Sequence, residues 1–361
     1  MKRTLHIFFL ILLISVCAIT LLAAYGGVFD PAYLYALPAM ISMTFPIWIV
    51  VMPVLAIVAF CIRRKLAWIP VITMALCVGP FIDFCPLHFT HEQPDFDPGF
   101  TLLSYNVFYC ENYLDRTKTV ERNPTVRTIL DSNADVVCLQ ETLPINEDKF
   151  RGVTAEQIDS LYIRYPYRIF NNGNLGILSK YPADTIAAPD LPGQTASLMI
   201  ADVNILGEMV RFYNVHLQSI GLTDTDKELY KELTRGNADN HLKQAKESIL
   251  SKLHAAYKNR ANQARLIKEV LQQTTTENMV VCGDFNDIPG CYAMRKIQSA
   301  GLKNAYTHAG LGPSPTYRAD RFYFHIDQVL YNNGLAPTEM YVIKNTGQSD
   351  HLPVLTDFEF R

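Results

Sequence analysis

Three stretches in the first 82 residues contain no Asp, Glu, Lys or Arg: Leu5 to Ala24, Ala32 to Ile62 and Leu66 to Ile82. About 20 consecutive apolar residues suffice to cross a bilayer as a helix. A single such run has a ready explanation as a buried core helix. Three in succession, separated only by short charged punctuation, do not. The reading is a membrane anchor over 1–89 with about three transmembrane helices, at 5–24, 34–62 and 66–82. The second run carries Pro38, Pro46 and Pro53, so it is expected to be kinked or tilted.

Basic residues near the spans set orientation. Lys2 and Arg3 precede the first span, and Arg63, Arg64 and Lys65 separate the second from the third. The loop around Asp30 has neither Lys nor Arg, and the next basic residue after Lys65 is Arg116. The tip and second loop are therefore expected in the cytoplasm, and everything after Ile82 on the non-cytoplasmic side of a multi-pass protein. A signal-peptide reading of the first span, with "LLAA" near its end, leaves the rest of the chain on the same side.

Residues 90–99, rich in proline and acid, read as a linker. Beyond them, 100–361 alternates strand-like and helix-like segments. Strands are expected at 100–108, 135–141, 175–181, 196–205, 208–217, 278–286, 325–331 and 352–360, where Val, Ile, Phe and Tyr are bounded by Gly, Pro, Asn and Asp. Helices are expected at 124–133, with Asn123 as cap and Pro124 at the first position, from Thr154, and over 238–272. This pattern is α/β, with room for one large core.

Removing the five basic and two acidic residues of 1–89 from the chain's 32 and 35 leaves 27 and 33, a net charge of −6. Proteins that grip a nucleic-acid backbone usually neutralise several phosphates with Lys and Arg. The eight cysteines include three within the spans and no C-x-x-C pair, so neither a zinc site nor a disulfide framework is inferred.

The strand-like runs share an ending. "LLSYN" stops at Asn106, "VVCLQE" at Glu141, "FYNVH" at His216 and "VVCGDFN" at Asp284 and Asn286. "FHIDQVL" carries Asp327, and Asp350 and His351 precede the last run. Each has an ordinary explanation alone: a turn residue, a solvated strand end, a structural histidine, a helix cap. Together they matter, because ligands of sheet-based α/β proteins collect at strand ends. Converging carboxylates raise one another's pKa, and a divalent cation resolves that conflict. The set is rich in oxygen and lacks thiolate, which favours Mg²⁺ or Mn²⁺ over Zn²⁺.

The ordered motifs "SYNV" (104–107), "DVVCLQE" (135–141), "NVHLQS" (214–219), "GDFND" (283–287), "HIDQVL" (325–330) and "SDHLPV" (349–354) resemble those of the endonuclease/exonuclease/phosphatase superfamily, the deoxyribonuclease-I-like fold. The resemblance spans essentially all of 100–361. It implies a four-layer α/β sandwich of two mixed sheets flanked by helices, and a metal-dependent phosphodiester hydrolase. Glu141 looks like the principal metal ligand, with Asn106 and Asp350 completing or supporting the site. Asp284, with Asn286 beside it, looks like the group that orients or deprotonates the attacking water. His351, held by Asp327, and His216 look like the phosphate-facing imidazoles. Where the family usually has Arg before its "IDxV", this chain has His325. A phospholipid headgroup, as in the sphingomyelinase branch, and extracellular nucleic acid are rival substrates. A catalytically silent membrane-tethered binding module is the reading from another class. The lipid bilayer is the expected partner of the N-terminal helices, and no obligate protein partner is inferred.

Overall fold

A computed structural model describes residues 2–88, 98–115, 121–146, 150, 152–221, 223, 226, 240–319, 323–344, 346 and 348–361. The predicted linker lies outside them except for 98 and 99, and Gly99 already begins the first strand. The chain forms two compact units. One comprises 1–85, 220–261 and 290–295, and the other 86–219, 262–289 and 296–361.

Among the described residues of the second unit, twelve strands form two six-stranded mixed sheets. They are β1 (Gly99–Asn106), β2 (Val136–Gln140), β3 (Tyr167–Phe170), β4 (Leu175–Ser179), β5 (Ala183–Ile186), β6 (Ser197–Ile205), β7 (Glu208–His216), β8 (Asn278–Asp284), β9 (Lys303–Asn304), β10 (Asp327–Tyr331), β11 (Leu335–Val342) and β12 (Val354–Phe360). The strand orders are β11-β12-β1-β2-β4-β3 and β5-β6-β7-β8-β10-β9. Each sheet contains one parallel pair at its centre, β1 with β2 and β7 with β8.

Side chains alternate across a strand, so each strand contributes to two layers. Phe100 and Leu102, Val136 and Cys138, Val210 and Phe212, and Val280 and Cys282 all join one buried cluster shared by both sheets. The intervening Leu103, Tyr105, Val137 and Leu139 face the other way. There they meet Val126 and Ile129 of the helix Pro124–Ser132 and Leu161 of the helix Ala155–Arg164. Full burial of a Val, Leu or Ile side chain stabilises by about 1.5–3 kcal/mol, so this double use of the central strands holds the sandwich together. The two helices begin where the sequence predicts. Asn123 Oδ1 accepts from Thr125 and Val126 N–H, and Thr154 forms a capping box with Gln157.

The inward face of each central strand starts apolar and turns polar near its end. Phe100 and Leu102 lead to Ser104 and Asn106, Phe212 to Asn214 and His216, and Val280 and Cys282 to Asp284. The register places His216, Asp284 and Asp327 on one rung across β7, β8 and β10. Gly283 permits the close approach there. It has φ +135°, and a Cβ would lie 2.0 Å from the Val215 carbonyl oxygen.

Among the described residues of the first unit, two helices are long and apolar enough to cross a membrane, Thr4–Val28 and Phe45–Ile62. A third span exists if the pair Arg64–Leu76 and Val78–Phe84, bent by 54°, counts as one. The apolar run 34–62 is not one helix. Leu34, Tyr35 and Ala36 adopt left-handed backbone, Leu37–Ser42 forms a short helix, and a new helix starts at Phe45. Pro38 and Pro46 each stand in the first turn of a helix, because proline lacks the N–H that continuation from a preceding turn requires. The segment 290–295 belongs to this unit: Tyr292 Oη donates to Asp30 Oδ2 at 3.2 Å.

Candidate active site

The polar ends of the central strands meet in the second unit. Asp284 Oδ2 is the common neighbour. Asn106 Nδ2 donates to it at 3.1 Å, and Nε2 of both His216 and His351 lies 3.6 Å away. Asn106 Nδ2 also reaches Glu141 Oε1 at 3.2 Å, and His216 Nε2 lies 3.9 Å from the same oxygen. Asn106 thereby links a carboxylate from each sheet.

His351 is held from two sides. Its Nδ1 lies 2.9 Å from Asp327 Oδ2, and its backbone N–H donates to Ser349 Oγ at 3.0 Å. Ser349 Oγ in turn donates to the Asn106 carbonyl at 2.7 Å. The loop carrying Asp350 and His351 is thus tied to the end of β1. Asp350 accepts a backbone hydrogen bond from Arg318, and the Arg318 guanidinium donates to the carbonyls of Thr346 and Ser349.

The electrostatics follow from burial. Asp284 is 1% exposed. Desolvation pushes its carboxyl, and that of Glu141, above the usual carboxylate range, although neighbouring histidines pull both back. For His351, burial alone lowers the pKa, but the charges of Asp327 and Asp284 outweigh it and hold the imidazolium well above its ordinary value. Backbone strain collects here too. Glu141 has φ +49°, and Phe108, Tyr109 and Cys110 are left-handed in succession just beyond β1. Tyr109 N–H donates to the Glu141 carbonyl at 2.8 Å and helps fix that turn.

Asn286 stands apart from the sequence expectation in one respect. Its placement two residues after Asp284 suggests an extended backbone with both side chains on one face. The strand instead stops at Asp284, and Asn286 adopts φ +51°. Its backbone N–H donates to Asp284 Oδ1 at 2.7 Å, and its Nδ2 donates to the Leu217 carbonyl at 3.0 Å. Asn286 therefore secures the Asp284 carboxylate through the main chain. His325 stands two residues before Asp327. It is buried and stacked on Tyr306 with ring centroids 3.9 Å apart, and its Nδ1 bonds the Ser314 carbonyl at 2.6 Å. Desolvation lowers its pKa to about 4, so it brings no positive charge to the acidic cluster at neutral pH.

Sequence reasoning passed over two neighbours. Thr316 Oγ1 accepts from the N–H groups of Ile326 and Asp327, at 3.0 and 3.1 Å, and the Tyr317 ring packs edge-on against His351 with centroids 5.1 Å apart. "PTY" (315–317) carries no strand-end signal. Long-range pairing brings it to the site: the isolated bridges of Tyr317 to Phe324 and His351 and the hydrogen bond from Leu352 N–H to the Thr316 carbonyl.

The residues fit a hard divalent cation. Among the described residues, the acidic and imidazole atoms close enough together to hold an ion belong to Asp284, Asp327 and His351, within 4.8 Å of one another, and not to Glu141 and Asp350, the ligands expected from sequence. Asp327 Oδ1, Asp350 Oδ1 and His216 Nε2 are buried with no hydrogen-bond partner among the described residues. Buried polar atoms without partners are costly, and a cation with its bound oxygens would satisfy them.

Carboxylates, amides and imidazoles thus converge on the polar ends of an α/β sandwich, and the family match identifies the chain as a hydrolase of phosphoric esters. The model of the Endonuclease/Exonuclease/phosphatase family matches residues 103–351, and the chain belongs to that family. No curated protein matches it. Among solved structures it is similar to an endonuclease/exonuclease/phosphatase from Beutenbergia cavernae, with 17% identity, 73% of this chain and 72% of that chain covered, and a TM-score of 0.48. It is also similar to a family protein from Bacteroides thetaiotaomicron, with 15% identity, 73% and 99% covered, and a TM-score of 0.49. The human Nocturnin catalytic domain with bound sulfate anion shares 17% identity over 74% of this chain and 97% of that chain, with a TM-score of 0.48.

Proposed function

We propose that the chain is a membrane-anchored, divalent-metal-dependent phosphodiester hydrolase. The observation that carries this is the position of Asp284 Oδ2 beside Asn106, His216 and His351, with His351 backed by Asp327. Glu141 would be the principal ligand for Mg²⁺ or Mn²⁺, with Asn106 and Asp350 in support. When bound, the cation supplies Lewis acidity and lowers the pKa of coordinated water.

The protein's own groups do the rest. Asp284 orients the attacking water and accepts its proton, and a carboxyl with a raised pKa is the stronger base. Asn286 N–H holds the other oxygen of that carboxylate in place. His351 presents its Nε2–H to the phosphoryl oxygens, and His216 Nε2 faces the same space. The bond from phosphorus to the leaving oxygen breaks as the bond to the water oxygen forms, and the leaving oxygen departs with the electron pair and takes its proton from solvent.

The two or three apolar helices support attachment to a bilayer, with 1–89 as the anchor and 100–361 as the catalytic domain. The distribution of Lys and Arg supports a non-cytoplasmic catalytic domain. A net charge of −6 beyond residue 89, together with the anchor, favours a phospholipid-headgroup diester over a nucleic-acid polyanion.

The test is turnover of an aryl phosphodiester by the full chain in detergent, with Mg²⁺, Mn²⁺ or chelator. Metal-dependent hydrolysis, lost in Glu141→Ala and His351→Ala, is expected. Absence of metal dependence, or unchanged turnover in both variants, overturns the reading. Sphingomyelin, plasmid DNA and RNA then sort the substrate class. A reporter fused after residue 90 tests the orientation, and cytoplasmic activity of the reporter overturns it.

A further inference from the structure

Just beneath the site, amides fasten the two sheets to each other. Asn214 lies on β7 two residues before His216, so both side chains share a face. Gln140 ends β2, opposite Asn106 in the β1–β2 register. Asn214 Nδ2 donates to the carbonyls of Leu139 at 2.9 Å and Gly176 at 3.0 Å, backbone atoms of β2 and β4 in the opposite sheet. Leu139 and Gly176 are themselves register partners, so one amide spans the pair. With its N–H groups so engaged, Asn214 turns Oδ1 to Gln140, whose Nε2 donates to it at 2.7 Å. Both side chains are fully buried.

The location gives this bond its significance. Asn106 and Glu141 hang from the ends of β1 and β2, while His216, Asp284 and Asp327 hang from β7, β8 and β10. The site is therefore assembled from two halves, one per sheet. Apolar contact between sheets resists separation but is non-directional, so it resists sliding poorly. Hydrogen bonds to fixed backbone carbonyls are directional. A buried amide pair also costs desolvation that two apolar side chains of similar volume would avoid, so stability alone does not account for it.

We propose that Gln140 and Asn214 form an inter-sheet clasp and are positioning residues for hydrolysis, holding the Glu141 half of the site in register with the Asp284 half. The proposal rests on the hydrolase reading above. Neither amide touches the reacting phosphate; both act through the strand ends beside them.

The test compares full-length Gln140→Met, Asn214→Leu and the double variant with wild type and Glu141→Ala. Thermal melting is measured alongside kcat and KM on the aryl phosphodiester with Mn²⁺. Gln140→Met retains the two Asn214 bonds to backbone and is expected to melt close to wild type. Its kcat should fall about tenfold to hundredfold, as a displacement of roughly 1 Å does at an active site. Its KM should stay within about twofold, because substrate contacts are untouched. The double variant should lose little more than Asn214→Leu alone, since the residues share one bond. If Asn214→Leu does not fold, Gln140→Met decides.

Wild-type kcat in a folded Gln140→Met, multiplicative losses in the double variant, or a loss that only tracks the unfolded fraction overturns the clasp. Those outcomes require an active wild type and an inactive Glu141→Ala. A wild type without turnover, or an unimpaired Glu141→Ala, instead overturns the hydrolase reading and, with it, the reaction the clasp would serve.

Discussion

His351 Nδ1 lies 2.9 Å from Asp327 Oδ2, and because a carboxylate oxygen accepts, the proton of that bond sits on Nδ1. Nε2 is left facing Asp284 at 3.6 Å. Asp327 thereby fixes both the tilt of the ring and its charge. Asp327→Asn keeps the shape but removes the charge, and its amide can present N–H to Nδ1 and favour the other tautomer. The expected result is a kcat lower by about 10²–10⁴ at neutral pH with KM little changed, as in other carboxylate-oriented histidines. Steady-state kinetics on the aryl phosphodiester checks this, and wild-type kcat would count against orientation as the role of Asp327.

Metal binding should be visible without turnover. A ligand that binds only the folded state raises the melting temperature by mass action. Mg²⁺ or Mn²⁺ at about 100 times its Kd should stabilise wild type by about 2.7 kcal/mol. The shift should vanish in Glu141→Ala and reverse on adding chelator. Equal shifts in wild type and variant would remove Glu141 from the metal site.

Gly283→Ala tests the rung that carries the site. The added Cβ would meet the Val215 carbonyl at 2.0 Å on a backbone at φ +135°. The strands must part or the backbone must rotate, at about 3 kcal/mol. A lowered melting midpoint and a loss of kcat are expected together, since Asp284 is the next residue. A neutral substitution would mean that β7 and β8 approach less closely than the register indicates.

His325 should make stability depend on pH. Its folded pKa of about 4 lies below the ordinary 6.5, so the unfolded chain binds the proton more readily. The stabilising contribution is therefore complete above about pH 6.5 and is lost progressively as pH falls toward 4, up to on the order of 3 kcal/mol. His325→Phe keeps a ring against Tyr306 and cannot titrate. Thermal melts between pH 7 and pH 4 should show a shallower acid loss in that variant than in wild type, and parallel curves would rule out His325 as a source.

Much of the fold was legible because central strands declare themselves. All eight strands expected from sequence are present within a few residues. The four that sequence reasoning passed over, β3, β5, β9 and β11, are the four edges of the two sheets. An edge strand pairs on one side and faces solvent over much of its surface, so it needs no apolar run. "ADTI" is largely exposed, and "LAPTEMYV" carries Pro337 at a register shift, which an edge tolerates and a centre does not. The apolar run 34–62 misled in the opposite direction. Composition marked it as one span, while its prolines divide it into helices with separate starts.

By itself, the sequence determined which residues could do the chemistry, because Asn106, Glu141, His216, Asp284, Asp327, Asp350 and His351 all stand at or beside the ends of apolar runs. It also determined that the N-terminal helices are apolar enough for lipid. Only the tertiary structure decided that these ends meet, that Asp284 is their common neighbour, and that Asn286 bonds Asp284 through its main-chain N–H. The physical reason is that strand periodicity is local and readable along the chain, whereas the register between two sheets is set by contacts among residues far apart in sequence, such as Asn214 with Leu139, Gly176 and Gln140.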